Sequence, residues 1–222
     1  ALKMHGGRKK NELGQEDLAA LEKGMTNLEK HIENVAMFGL PAVVAINRFP
    51  ADTEAELALI EKKCNALGAP VALSEVWEKG GEGGLDLADR VVEACEKASK
   101  FAFLYEKDLS PKEKMDLIAR RVYGADGVVF TDQAEKDLAL VHELGKDDLL
   151  ICMAKTQYSL SDDPALLGRP SGFKITVREV RLSAGAGFLV AVTGSIMTMP
   201  GLPKKPAALS IDIDADGRIT GL

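Results

Sequence analysis

Pro41-Ala-Val-Val-Ala-Ile-Asn-Arg-Phe-Pro50 passes from an unbroken β-prone run, Ala42 to Ile46, into polar Asn47 and Arg48 and then a ring followed by proline. An apolar run without polar alternation is the pattern of a strand covered on both faces in a parallel sheet. Upstream, Leu18, Leu21, Met25, Leu28, Ile32 and Val35 recur at steps of three and four, which predicts a helix from Glu16 to Phe38 that Gly39 ends. Downstream, Asp52 or Thr53 caps a second helix with Glu54 and Glu56 in its first turn, Lys62 and Lys63 late, and Gly68 as its stop. Pro70 to Val76 reads as the next strand, and Gly84 opens a helix to about Lys100. Alternation of this kind means right-handed βαβ units in an α/β fold.

The same order continues with a helix from Pro111 to Tyr123, a strand from Gly127 to Phe130, a helix from Asp132 to Leu144 and a strand from Leu149 to Met153. After Ala154 the character changes. A polar loop at 155–164 precedes β-prone segments at Ile175 to Leu182 and Phe188 to Val192. Prolines make 197–206 irregular, because each removes a backbone donor and fixes φ. Ser210 to Thr220 alternates around Asp216-Gly217, a hairpin signal.

With 222 residues, 46% of them hydrophobic, the chain can bury an ordinary core. A formal charge of -6 argues against a broad nucleic-acid surface, which needs clustered Lys and Arg. The apolar runs are far shorter than the roughly 20 residues of a membrane span, so no membrane association is expected. Cys64, Cys95 and Cys152 lie far apart in helix or strand patterns, which suggests buried reduced thiols and a cytoplasmic protein. His5, His31 and His142 have no partner at ligand spacing, so metal binding is not expected. Asp212-Ile-Asp-Ala-Asp-Gly217 opens like a calcium loop but lacks the closing glutamate and flanking helices, which favours a turn. The chain opens on Ala1 without a signal-peptide pattern, and a preceding segment is expected.

Two stretches carry the ligand chemistry. Phe49, held by Pro50, offers a flat apolar face beyond the carboxyl end of a predicted parallel strand, where open α/β sheets bind ligands. The alternative is that Phe49 packs under its own loop. The second stretch is Leu73-Ser-Glu-Val-Trp-Glu-Lys-Gly-Gly-Glu-Gly-Gly84, which places the single tryptophan, Trp77, at the next strand end. Neighbouring strand ends lie side by side, so Phe49 and Trp77 are expected to face one another across a slot fit for a planar bicyclic ligand. The glycines either expose amide donors to a carboxylate or phosphate or form a flexible connection. No G-x-x-x-x-G-K-[ST] stretch occurs, so ATP phosphates would need residues outside this chain. Lys155-Thr-Gln-Tyr158 and Arg178-Glu-Val-Arg181 would bind an anion or form ion pairs.

These stretches, with Ala1-Leu-Lys-Met-His-Gly-Gly7, Asn27-Leu-Glu-Lys-His-Ile-Glu33, Met153-Ala-Lys-Thr-Gln-Tyr-Ser159, Thr176-Val-Arg-Glu-Val-Arg-Leu-Ser-Ala184 and Ile196-Met-Thr-Met-Pro-Gly-Leu-Pro203, resemble formate–tetrahydrofolate ligase over essentially the whole chain. The resemblance implies an ATP-dependent ligase, using Mg, that forms 10-formyltetrahydrofolate through formyl phosphate. It also implies a homotetramer activated by a monovalent cation, and a pterin between Phe49 and Trp77 with Pro50 and Leu73 lining the slot. The family's P-loop lies in an amino-terminal half that this chain lacks. The expected fold is therefore α/β, mostly parallel units of P-loop-NTPase-like type with a smaller β-rich carboxyl-terminal domain. Residues 1–50 would be the remainder of the nucleotide-binding domain, 51–154 an α/β domain lining the folate pocket, and 155–222 the smaller domain. The competing expectation is a non-catalytic folate-binding or assembly module. Val44-Ala-Ile-Asn-Arg48 as the base-reading strand of a GTPase lacks the Asp expected shortly after the Asn.

Overall fold

The computed structural model describes residues 1–196 and 204–221. A one-turn helix α1 (Leu2–His5) leads into α2 (Leu18–Met37), whose start is capped by the Asp17 carboxylate accepting from the Ala20 amide. Strands β1 (Val44–Asn47) and β2 (Val71–Ser74) pair in parallel, Val44 opposite Val71 and Asn47 opposite Ser74. Between them runs α3 (Glu54–Ala66), closed at its start by a reciprocal capping box of Thr53 and Glu56. This is the βαβ unit expected from the sequence. Its core is Leu21 and Met25 of α2 against Ile60 and Cys64 of α3, with Val44, Ile46 and Val71 packed on them. Burying each such side chain contributes roughly 1.5–3 kcal/mol. Cover on both faces of β1 does not hold here, because Ala45 and Asn47 are exposed while Val44 and Ile46 turn to the helices.

After Ser74 the chain turns at once into the short helix α4 (Val76–Lys79) and a 3₁₀ turn over Gly80–Gly84 before α5 (Leu85–Cys95). Strand β2 therefore stops short of the expected Val76, and Trp77 sits in a helical turn. Helix α5 also ends before Lys100. The segment beyond it runs back to the end of α2, where the Lys100 and Ala102 amides donate to the carbonyls of Gly39 and Phe38.

Helix α6 (Pro111–Ile118) continues into a π-helical turn, Ala119–Tyr123, that closes on Gly124 at φ 75°. Strand β3 (Val128–Phe130), helix α7 (Asp132–Glu143), strand β4 (Leu150–Ala154) and the hairpin β5 (Ile175–Ser183) and β6 (Phe188–Thr193) follow. The sheet order is β3-β5-β6-β4, with β3 parallel to β5, β4 parallel to β6, and β5 antiparallel to β6. The hairpin thus separates two strands that are successive in sequence and makes the sheet mixed. Met115, Leu138, Val177, Val180 and Leu189 form its core with α6 and α7. Strand pairing crosses residue 50 in the first sheet and residue 154 in the second, so the stretches 1–50, 51–154 and 155–222 do not own separate sheets.

Polar contacts join the two sheets through α2. Asn27 Nδ2 donates to Gly168 O at 3.0 Å, Lys30 Nζ to Arg121 O at 2.7 Å and Asn34 Nδ2 to Val122 O at 2.9 Å. The last two carbonyls belong to the π-helical turn and would otherwise lack partners. Near the carboxyl terminus, β7 (Asp212–Ile213) and β8 (Ile219–Thr220) pair antiparallel, as the alternation predicted. Asp214 Oδ1 accepts from the Asp216 and Arg218 amides, so this aspartate closes a turn. Most of the proline-rich stretch, residues 197–203, lies outside the described residues. Expectation fails for the thiols: Cys64 is buried, but Cys95 and Cys152 are exposed, because each lies on a face its element leaves open.

Candidate ligand-binding site

The ladder between β1 and β2 runs one step past its strands, with Arg48 N donating to Ser74 O at 3.1 Å. A tight turn follows at once. Phe49 N donates to Asp52 Oδ2 at 2.8 Å and Asp52 N to Phe49 O at 3.0 Å, while Pro50 fixes φ between them. The Phe49 ring is held out of the core, 59% exposed. From the neighbouring strand end, α4 presents Trp77 at 57% exposed, with its indole Nε1 donating to Arg48 O at 2.9 Å. That bond ties the second ring to the turn that carries the first.

Arg48, Phe49, Pro50, Glu75, Trp77, Glu78 and Lys79 line one cleft of about 320 Å³. Three of the four residues expected to meet the pterin, Phe49, Pro50 and Trp77, therefore come together. Leu73 does not join them. Side chains alternate along β2, and Leu73 lines a separate cleft of about 270 Å³ with Asp86 and Arg90. Asn47 also faces elsewhere, into a mostly apolar cleft of about 370 Å³ that it shares with Phe49 and the pair Lys3 and Glu56.

Charge in the first cleft is organised around Glu75. Its Oε2 meets Lys79 Nζ at 2.6 Å and its Oε1 meets Arg48 Nη1 at 3.4 Å, while Arg48 Nη2 holds Glu54 at 2.9 Å. The Lys79 ammonium, helped by Arg48, keeps the Glu75 carboxyl below the usual carboxylate range, and Glu75 in turn raises Lys79. In the sequence Glu75 and Lys79 stand on either side of Trp77. Their spacing of four residues was the available signal for a pair on one helical turn.

The glycine loop is fixed rather than slack at one point. Glu75 N donates to Gly83 O at 2.9 Å, and a β-carbon on Gly83 would lie 2.5 Å from the Glu75 carbonyl carbon and oxygen. Gly80, at φ 59°, makes the bend that permits this return.

Lys155, a candidate anion ligand, turns its ammonium inward. It donates to the carbonyls of Thr156, Ser159 and Ser161 and lies 5.1 Å from the Tyr123 ring centre. Burial pulls its pKa down to about 8. Arg181 pairs with Glu179 along β5, the ion-pair alternative. Among the described residues no group of three or more His, Cys, Asp or Glu could hold a metal ion. No described helix is long and apolar enough to cross a membrane.

Two rings at adjacent parallel strand ends, tied by an indole hydrogen bond and edged with charge, border one cleft at the carboxyl edge of a parallel pair in an α/β protein. The model of one family, formate–tetrahydrofolate ligase, matches residues 1–222. The chain belongs to the formate–tetrahydrofolate ligase family. Enzymes of this family are ATP-dependent ligases of one-carbon metabolism, with formate, tetrahydrofolate and ATP with Mg as substrates.

Proposed function

We propose that this chain supplies the tetrahydrofolate pocket of a ligase that makes 10-formyltetrahydrofolate. The supporting observation is that Phe49, Pro50 and Trp77 border one cleft in a chain of this family. The pterin stacks between the two rings with Pro50 at one edge; Leu73, which lines a separate cleft here, is the fourth residue of the proposed folate set. A formate oxygen attacks the γ-phosphorus of ATP, giving formyl phosphate and ADP. The folate N10 then attacks the formyl carbon, phosphate leaves, and N10 gives up its proton. The P-loop-NTPase-like phosphate site lies in an amino-terminal half outside residues 1–222, so the isolated chain binds folate without turning over. In functional terms, residues 1–50 complete that nucleotide-binding domain and bring Phe49 and Pro50 to the pocket, 51–154 line the rest of it and 155–222 form a smaller β-rich part. The complete enzyme is a cytoplasmic homotetramer activated by a monovalent cation.

Calorimetric titration of tetrahydrofolate into the chain tests the pocket. Loss of one stacking face removes roughly 1–3 kcal/mol, so Trp77→Ala and Phe49→Ala should each weaken binding by about 5- to 100-fold. Unchanged affinity in both variants would remove the stacking role. Addition of the amino-terminal half with ATP and formate should yield product, and its failure to do so favours a non-catalytic folate module.

A further inference from the structure

Ring stacking gives affinity but little direction, because any flat ring presents a π-face. Orientation in the cleft must come from a polar group at its edge. Four charged side chains border it: Arg48, Glu75, Glu78 and Lys79. The guanidinium of Arg48 is already bonded to Glu54 and Glu75, and its carbonyl is taken by Trp77. The Lys79 ammonium is committed to Glu75 and half in solvent, and Glu78 is exposed. Glu75 is the one sheltered acceptor among them, with its side chain 21% exposed, and it keeps capacity to bond; Arg48, the other sheltered group, can only donate and is held between two carboxylates. A carboxylate offers about four acceptor positions. Two are used in this cleft, one of them by a long contact of 3.4 Å.

Resting on the folate assignment above, we infer that Glu75 selects the pterin, its carboxylate accepting hydrogen bonds from the N3–H and 2-amino group of the bound tetrahydrofolate. Those two donors lie side by side on one edge of the 2-amino-4-oxo ring, as the donors of a guanidinium do, and suit a carboxylate in a bidentate contact. The groups around Glu75 prepare it for that task. Lys79 and Arg48 keep it ionised, so it accepts at both oxygens, and Gly83 holds its backbone from behind. Phe49 and Trp77 would bind many flat rings; Glu75 would choose one that offers paired donors.

The test is calorimetric titration of the full chain with two ligands, tetrahydrofolate and an analogue carrying methyl in place of the 2-amino group. Hydrogen bonds to a charged acceptor are worth about 1.5–3 kcal/mol, so the unmodified chain should prefer tetrahydrofolate by roughly 10- to 100-fold. Glu75→Gln should lose that preference by weakening tetrahydrofolate more than the analogue, which keeps only the N3–H donor. Lys79→Met, which breaks the ion pair but keeps the carboxylate, should retain it. A preference that survives Glu75→Gln, equal weakening of both ligands, or loss of the preference in Lys79→Met overturns the assignment to Glu75. Equal affinity for both ligands in the unmodified chain overturns it even if Glu75→Gln fails to fold. Binding of neither ligand by the unmodified chain overturns the folate assignment itself, and this one with it.

Discussion

Gly83 and Gly81 are two residues apart in one loop and differ in everything that a methyl group would feel. A β-carbon at Gly83 would sit 2.5 Å from the Glu75 backbone, whereas at Gly81 nothing lies within 4 Å. Backbone cannot yield as a side-chain tip can, so Gly83→Ala must shift Glu75 and with it the start of α4. The expected cost is about 1–3 kcal/mol, the usual range for overpacking. Folate affinity should fall as well, since Trp77 hangs on the same turn. Gly81→Ala should leave both thermal midpoint and affinity where they are. Equal melts for the two variants would contradict the assignment of a packing role to Gly83. In the sequence the four glycines read alike, as a flexible connection or a row of amide donors. Which one is indispensable depends on the chain folding back on Glu75, and no local pattern carries that information.

At the level of elements, α3 is fastened by a residue whose local role was legible and whose distant role was not. Thr53 and Glu56 were readable as a helix start from spacing alone. Glu56 also accepts from Lys3 Nζ and from the Asp17 amide, so one carboxylate, nearly buried, ties α1, α2 and α3 together. The separation of 53 residues between Lys3 and Glu56 hides that bond from periodicity. Burial pushes the Glu56 carboxyl up, but the bonds from Asp17, Lys3 and Thr53 outweigh it and hold the pKa below the ordinary 4.5. A depressed folded value means that the stabilisation is complete above 4.5 and fades as pH falls through the folded value. Removing one partner of a buried pair costs about 3–5 kcal/mol, so Glu56→Ala should be strongly destabilising at neutral pH. Urea denaturation of both proteins, repeated at decreasing pH, should find the gap narrowing on the acid side. A gap independent of pH would mean that packing, and not the charge, is what the substitution removes.

Across the whole molecule, the link between the two sheets is a polar stripe on a helix that sequence reading treated as simply amphipathic. The apolar period of α2 was plain, and its Leu21 and Met25 pack with α3 on β1 and β2. Asn27, Lys30 and Asn34 lie beside that stripe at the same three- and four-residue steps, yet polarity reads as a solvated face, and here all three are buried. They are buried because backbone carbonyls of Gly168, Arg121 and Val122 need donors there. Asn34 Oδ1 has no partner among the described residues. The three donated bonds are reinforced at the rim by the bidentate pair of Arg169 with Glu33 and by the Gly168 amide donating to His5 Nδ1. Replacing them together, Asn27→Ala with Lys30→Met and Asn34→Leu, leaves Leu21 and Met25 in place and strips the carbonyls of their partners. Each unpaired buried group costs about 1–3 kcal/mol, and the losses fall on the junction rather than on either core. Calorimetry of the triple variant should resolve two transitions, one for the β1 and β2 unit and one for the mixed sheet. A single transition with an unshifted midpoint would show that the sheets are coupled through some other contact and that the polar stripe of α2 is incidental.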